Sequence, residues 1–363
     1  MATPGRASTW NSGPSLVFPL ALAWHAEGGP SAMAHEVVFL SDNDVRKMLD
    51  MPAALAIAEQ DFRRQADPAN MIYGVPLAYE TEDRQLGFRW RLKTAIMRDP
   101  PLAGSRITGF KVDSAGAGGG GERNSTRYMV LSDPATASPL AIVDEHTTFS
   151  MRTSAGVCVA AKYLARPDSK VAGIVGVGNI GQTSLLGLNE LFRLERVKVM
   201  SARPESRRKF ASEMSAALGI PVQAVDSYED VCRDADIVMA GTPSRAPFIE
   251  RRWLKDGVFV GLMGQNEAAP EVFAACDRLL IDYDPATQKH PAHVQRAIDA
   301  GAIGAGRLTD QIWQVVSGHK PGRRSDGEMI VVVSVGVTTQ DIAIAYQLYL
   351  WAKAKGFGLR LPF

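Results

Sequence analysis

Residues 170–188 read KVAGIVGVGNIGQTSLLGL, and within them Gly176, Gly178 and Gly181 keep the spacing G-x-G-x-x-G. After a β-branched run and before a helical pattern, such a triplet suits the pyrophosphate of a dinucleotide. Gly176 permits the tight turn, Gly178 lets the backbone approach the phosphates, and Gly181 lets helix and strand pack closely. The helix that opens at Asn179 and Ile180 then turns unpaired N–H groups toward the anion. The next strand ends in Met200-Ser201-Ala202-Arg203, without the acid that holds the ribose hydroxyls in NAD binders. Ser201 and Arg203, with Arg207 a turn further on, predict NADP as the cofactor, with NAD as the alternative. Thr242, Met263 and Ser334, at or just beyond the ends of later strands, complete the expected cofactor-binding set.

Two other groups of residues bear on chemistry. Lys111 ends an apolar strand beside the stretch AGAGGGGERN. There it can serve as a point charge for a carboxylate, or simply stand exposed. The glycine-rich stretch reads equally as a mobile lid or a plain hairpin loop. Cys158, Cys232 and Cys276 are far apart and odd in number, which makes neither a disulfide framework nor a zinc spacing. His290 and His293 lack a carboxylate or cysteine partner at ligand spacing, so no metal is expected.

These residues need a scaffold. Val37–Leu40 reads as a strand, and Ser41 with Asp44 as an acidic capping box for a helix. Apolar positions from Val45 to Phe62 recur at helical spacing, with a break at Pro52. Gly87–Met97, Arg106–Val112, Tyr128–Ser132 and Leu140–Val143 are strand candidates, and Thr148–Leu164 is an alanine-rich helix. From Val171 onward, short apolar strands alternate with helices, the pattern of a parallel doubly wound sheet. The tail adds a strand at Met329–Ser334 and a long helix at Ile342–Lys355.

Composition narrows the class further. The 363 residues are 46% hydrophobic and 22% charged, ordinary globular values. Forty Lys+Arg against 39 Asp+Glu leave a net charge of +1. No basic field is present for nucleic acid or an anionic membrane. No apolar run reaches the roughly 18 residues that span a bilayer. Residues 1–34 are rich in Gly, Pro, Ser and Ala around the apolar stretch Leu16–Trp24. They read as a disordered extension, with an upstream start codon or a signal peptide as the other readings. The cysteine usage suits a reducing cytoplasm.

Gly109-Phe110-Lys111-Val112, Met151-Arg152-Thr153-Ser154-Ala155, GVGNIGQ and the tail SVGVTTQDIAIAYQLYLWAKAKGFG together resemble the ornithine cyclodeaminase/mu-crystallin family. The blocks keep their order from about residue 37 to the end. The resemblance implies an α/β chain in which a Rossmann domain, 157–332, is inserted into an α+β substrate and dimerisation domain, 35–156 plus 333–363. It implies a homodimer and hydride exchange between nicotinamide and an amine or imine carbon next to a carboxylate. It also implies that Lys111 contacts the substrate carboxylate, that Arg152 lies by the cofactor phosphates and the substrate, and that Thr153 is a phosphate ligand.

Three departures from the family pattern shape the expected activity. The catalytic Asp of the cyclodeaminases falls on Asn266, which cannot exchange protons near neutral pH; the adjacent Glu267 is the substitute candidate. The family's first substrate Arg falls on Ala78, leaving Arg89, Arg91 or Arg98 to supply the charge. The loop after Lys111 is unusually rich in glycine. An NAD(P)-dependent imino/amino-acid oxidoreductase is the expected function, of ketimine reductase or amino-acid dehydrogenase type. A cyclodeaminase-type lyase and a crystallin-like binding protein are the alternatives.

Overall fold

The computed structural model describes residues 36–111, 125–285 and 288–363. The extension read over 1–34 and the glycine-rich stretch after Lys111 lie outside the described residues.

The described chain opens with β1 (Glu36–Leu40). Ser41 caps α1 (Asp42–Met48): its hydroxyl accepts from Asp44 N, and the Asp44 carboxylate accepts from Ser41 N at 3.1 Å. This is the reciprocal cap expected from the sequence. Asp50 caps α2 (Met51–Arg64), with Pro52 in its first turn. Proline is at home there, because that N–H has no helical partner. The helical run therefore breaks just before the proline instead of at it.

An antiparallel meander follows: β2 (Met71–Asp83), β3 (Phe88–Arg98), β4 (Pro101–Lys111), β5 (Thr126–Ser132) and β6 (Pro139–Asp144). The sequence reading missed β2, whose alternation is interrupted by a register shift between Tyr73 and Ala78. β1 joins the sheet parallel to β6. Helix α3 (Glu145–Leu164) leaves β6 directly, capped by Asp144.

The second sheet is parallel throughout. Its strands are β7 (Val171–Val175), β8 (Arg196–Met200), β9 (Val222–Ala224), β10 (Ile237–Ala240), β11 (Phe259–Leu262), β12 (Arg278–Ile281), β13 (Asp310–Gln311) and β14 (Ile330–Val333). They lie in the order β13-β12-β14-β11-β10-β7-β8-β9. Between them run α4 (Asn179–Leu191), α5 (Pro204–Leu218), α6 (Tyr228–Cys232), α7 (Pro270–Ala275), α8 (Ala292–Asp299) and α9 (Ile312–Val316). Strand order reverses at β7 and β10, the place where open α/β sheets leave a crevice for ligands.

The chain then returns to the first sheet. Helix α10 (Thr338–Lys355) packs on β3, β4 and β5 and on α2 and α3. It lies so close to β4 that a Cβ on Gly104 would come 2.4 Å from Ile342 Cγ1. A last strand, β15 (Leu359–Pro362), pairs antiparallel with β1 and completes a seven-stranded sheet among the described residues. One apolar core runs from under this sheet through α3 to β7 and β8, and a second fills the other face of the parallel sheet. The face of the first sheet turned away from α10 carries Trp90, Leu92, Ile107, Tyr128, Val130 and Ile142, all at least partly exposed. Burial alternates with the pleat, so this face is the sheet's outer one.

Candidate active site

The turn after β7 carries the glycines as the sequence requires. Gly176 has φ +97, a conformation that side-chain-bearing residues rarely adopt. A Cβ on Gly181 would lie 1.8 Å from Gly176 O, so helix α4 can cross the turn only without a side chain there. At Gly178, by contrast, an added Cβ meets nothing within 4 Å. Gly178 is the N-cap of α4 and makes no side-chain cap hydrogen bond, so no side chain of its own stands between the helix start and an anion. Open space over an uncapped helix start fits a dinucleotide pyrophosphate. Ile180 closes the floor of the turn against Gly241, and Asn179 opens the helix.

Beyond β8, Ser201 Oγ donates to Arg203 O at 3.3 Å, and the Arg203 side chain stands exposed at the start of α5. Arg207 is committed elsewhere: it is buried and pairs with Asp226 and Ser201 O. At the strand ends next to the crevice, Glu267 ties two loops together. Its Oε1 accepts from Thr242 N at 2.7 Å, and its Oε2 accepts from Met263 N at 3.1 Å and Gly264 N at 2.8 Å. The carboxyl is fully buried, and burial pushes it up to about 7 against those three hydrogen bonds. His293 Nδ1 accepts from Glu267 N at 3.1 Å. Glu267, expected as the substitute proton carrier, here braces the loops, with both carboxylate oxygens accepting from backbone N–H groups. Asn266 Oδ1 accepts from Arg296 Nη2 at 3.1 Å.

Across from this edge, the core-facing side of β3 and β4 carries a buried cation cluster. Lys93 and Arg106 are paired neighbours in the sheet, and each is 6% exposed. Arg152 enters from α3, 4% exposed, and its Nε donates to Asp341 Oδ1 of α10 at 2.6 Å. Arg106 makes an ion pair with Glu145 Oε2 at 2.8 Å and lies 3.8 Å from Asp341 Oδ2. Burial pushes the Glu145 carboxyl upward. The Phe149 ring is a shared platform, with the guanidinium carbons of Arg106, Arg127 and Arg152 at 4.9, 5.0 and 5.1 Å from its centroid. Lys93 Nζ donates to Gly336 O at 3.3 Å. Burial, reinforced by Arg91, Arg106 and Arg152, pulls the Lys93 amine down to about 7.

One segment joins the two sides. Leaving β14, Ser334 Oγ, Val335 N and Gly336 N all donate to the buried Asp282 carboxylate, at 2.6, 2.9 and 3.0 Å. Gly336 O then receives Lys93, and a Cβ at Gly336 would lie 2.0 Å from Arg152 Nη1. Tyr73 OH shares a hydrogen bond with Thr339 Oγ1 at 3.3 Å, and Asp341 holds Arg152. Helix α3 reaches the nucleotide turn from the same cluster: Ser154 Oγ donates to Ile180 O at 3.0 Å, and Thr183 Oγ1 donates to Ser150 O at 3.1 Å.

The structure brings Arg152 to this cluster and leaves other expected residues apart. Lys111 is exposed, paired with Phe88, and its Nζ donates to Leu86 O at 3.1 Å. It lies an odd number of positions from Arg106 along a regular strand, so it points to the opposite face of the sheet. Arg89 binds Glu82, and Arg91 pairs with Glu80 at the partly exposed end of the cluster's face. The Thr153 hydroxyl donates to Phe149 O at 2.6 Å, within its own helix. Lys93, Arg106, Glu145 and Asp341 escaped the sequence reading. For Lys93 the signal was the alternation Arg89-x-Arg91-x-Lys93, which puts basic residues on one face of a strand; the other three carried none.

The same architecture recurs in solved structures. The Δ1-pyrroline-2-carboxylate reductase of Thermococcus litoralis, solved with NADH and L-proline, superposes with a TM-score of 0.82 at 25% identity, covering 90% of this chain and 100% of that one. An archaeal alanine dehydrogenase dimer with bound NAD gives 0.80 at 28% identity, covering 91% and 100%. In sequence, the alanine dehydrogenase of Archaeoglobus fulgidus is 30% identical over 336 residues, 90% of this chain and 99% of the relative. The model of one family matches residues 35–356, and with the glycine turn and the buried Arg152 in place it fixes the lineage: the chain belongs to the ornithine cyclodeaminase/mu-crystallin family.

Proposed function

We propose that this protein is a nicotinamide-dinucleotide-dependent oxidoreductase that exchanges hydride with an α-imino or α-amino acid. It is of the ketimine reductase or amino-acid dehydrogenase type. The observation that carries the reading is the shared segment 334–341. It brings a buried cluster of Lys93, Arg106 and Arg152 to the strand ends beside an uncapped nucleotide turn. The relatives named above, a reductase and two dehydrogenases of imino or amino acids, support it.

The bound nicotinamide supplies the hydride acceptor or donor. The rest falls to the chain. Gly178 and the start of α4 seat the pyrophosphate. Arg152 and Arg106, each already holding one carboxylate, present remaining N–H donors to the substrate carboxylate on a guanidinium fork. Phe149 packs its ring against the guanidinium groups of both, at 4.9 and 5.1 Å from its centroid. Asn266, occupied by Arg296, exchanges no proton, which weighs against a lyase cycle needing acid–base help in both directions. Arg203, exposed at the position where NAD binders carry an acid, supports NADP as the cofactor. The apolar outer face of the first sheet supports a homodimer. Three buried free cysteines suit the cytoplasm, and no helix among the described residues is long and apolar enough to cross a membrane. We assign 35–156 with 333–363 to the substrate side and 157–332 to the nucleotide side.

The test is a screen of cyclic imines, and of 2-keto acids with ammonia or amines, against NADPH and NADH, following loss of reduced nicotinamide. Steady consumption with an imino acid is the expected result. Ammonia release without net change in reduced nicotinamide would mark a lyase, and nucleotide binding without turnover a binding protein.

A further inference from the structure

We propose that Lys93 is the proton-exchanging group of the reaction, taking a proton from the substrate ammonium during oxidation and returning it during reduction. This rests on the oxidoreductase reading above. The residue that the resemblance sets at the cyclodeaminases' catalytic Asp is Asn266, which accepts from Arg296 and carries no exchangeable proton near neutral pH, and Glu267 is spent on three backbone N–H groups. A carrier must therefore come from elsewhere, and the cation cluster holds one group unlike the others.

Arg106 has Glu145, and Arg152 has Asp341. Lys93 has no carboxylate: among the described residues its one hydrogen-bond acceptor is Gly336 O, at 3.3 Å. The charges facing it are Arg91 on its own strand, Arg106 on β4, Arg152 on α3 and Asp341 on α10, and Glu145 on α3 pairs with Arg106 beside it. With both carboxylates engaged by arginines, Lys93 meets mainly positive charge in a dry site, so its neutral form is favoured. Arginine cannot lose its proton under working conditions, which leaves Lys93 as the cluster's titrating amine. A lysine brought near neutral pH by burial and like charge is a competent general base.

The charge count agrees. With Lys93 neutral and Glu145 ionised, Arg91, Arg106 and Arg152 are balanced by Glu80, Glu145 and Asp341, which suits a zwitterionic amino acid. In oxidation, an N–H bond of the substrate ammonium breaks and its electron pair stays on nitrogen as the lone pair. The proton joins Lys93 Nζ, which becomes an ammonium. That lone pair is what the Cα–H bond needs to release hydride. In reduction, the new amine takes the proton back and Lys93 returns to neutral. No further reactant is required for this proton step.

Two measurements test the assignment. In wild-type protein labelled with 15N-lysine, one side-chain amine resonance, absent from Lys93→Arg, should titrate close to pH 7; titration of that resonance only in the ordinary lysine range overturns the proposal. In kinetics, Lys93→Arg keeps the positive charge but cannot accept a proton. Its kcat/KM for oxidation of L-proline or L-alanine, or of the best amino acid from the screen, should fall at least about 100-fold and lose the acidic limb of its pH profile. Lys93→Ala should be rescued by added primary alkylamines in proportion to their basicity. Rescue that ignores basicity, or a Lys93→Arg enzyme with the wild-type pH profile, shows that Lys93 only fills space or binds charge. Should the wild-type protein turn over no amino or imino acid, the oxidoreductase reading itself fails. A wild-type enzyme that turns over while Lys93→Arg matches it removes Lys93 alone.

Discussion

Replacing Glu267 by Gln removes a buried carboxylate and leaves its shape. The single amide oxygen can serve Met263 N and Gly264 N together, as Oε2 does now, but the amide nitrogen then faces Thr242 N–H, donor against donor. A buried N–H left without an acceptor costs about 1–3 kcal/mol. The wild-type carboxyl has its own cost, because burial raises it from the ordinary 4.5 to about 7. At about 1.36 kcal/mol per pH unit, that difference is worth about 3 kcal/mol. Its sign follows from the direction: a raised acid contributes its stability in full below pH 4.5 and loses it as pH rises through 7. The Gln variant has no such group. It should therefore be the less stable protein near pH 5, and the gap should narrow or reverse by pH 8. Paired urea unfolding of the two proteins across that range reads the difference directly. Turnover should persist within a few-fold while nucleotide affinity falls, because the braced loops follow the strand ends at the crevice. An unchanged stability profile with a 100-fold loss of kcat would refute the reasoning and return Glu267 to the chemistry.

Gly181→Ala should destabilise the protein and abolish nucleotide binding, because its Cβ meets Gly176 backbone at 1.8 Å, whereas Gly178→Ala should keep the wild-type Tm and lose only nucleotide affinity, its Cβ entering open space. Thermal unfolding with and without dinucleotide separates the two. Arg203→Asp should weaken NADPH far more than NADH, since a charged hydrogen bond to a 2′-phosphate contributes about 1.5–3 kcal/mol; equal losses in a binding titration would show that Arg203 does not read that position. If the proposed homodimer forms through the outer face of the first sheet, light scattering at micromolar concentration should show a dimeric wild type and monomeric Ile107→Lys or Val130→Lys variants; a monomeric wild type or an unchanged mass would refute it.

The nucleotide half was legible because each of its signals is local. Gly176 and Gly181 are fixed by backbone geometry and Gly178 by the room a phosphate needs, all within six positions, and short β-branched strands between helices leave little choice of sheet. The other side was not legible in the same way. The alternation of Arg89, Arg91 and Lys93 shows which residues share a face, but period 2 is silent on which face is covered. A row of cations ordinarily faces water. Only α10, arriving from more than two hundred residues away with Asp341, covers the end of that row and buries Lys93. Lys111 shows the reverse error: a lysine in a familiar motif, yet on the strand's other face. β2 was lost for a third reason, a register shift that broke the pattern by which strands are found.

The stretch from Ser334 to Asp341 has a mechanical consequence. Its first residues are pinned to Asp282, its middle touches Lys93, and its end holds Tyr73 and Arg152. Sliding the two sheets past one another would break all of these bonds together. The segment is thus a shared anchor: a displacement that reaches it from the Asp282 side is passed to Lys93 and Arg152 together, so the two cations cannot be repositioned independently.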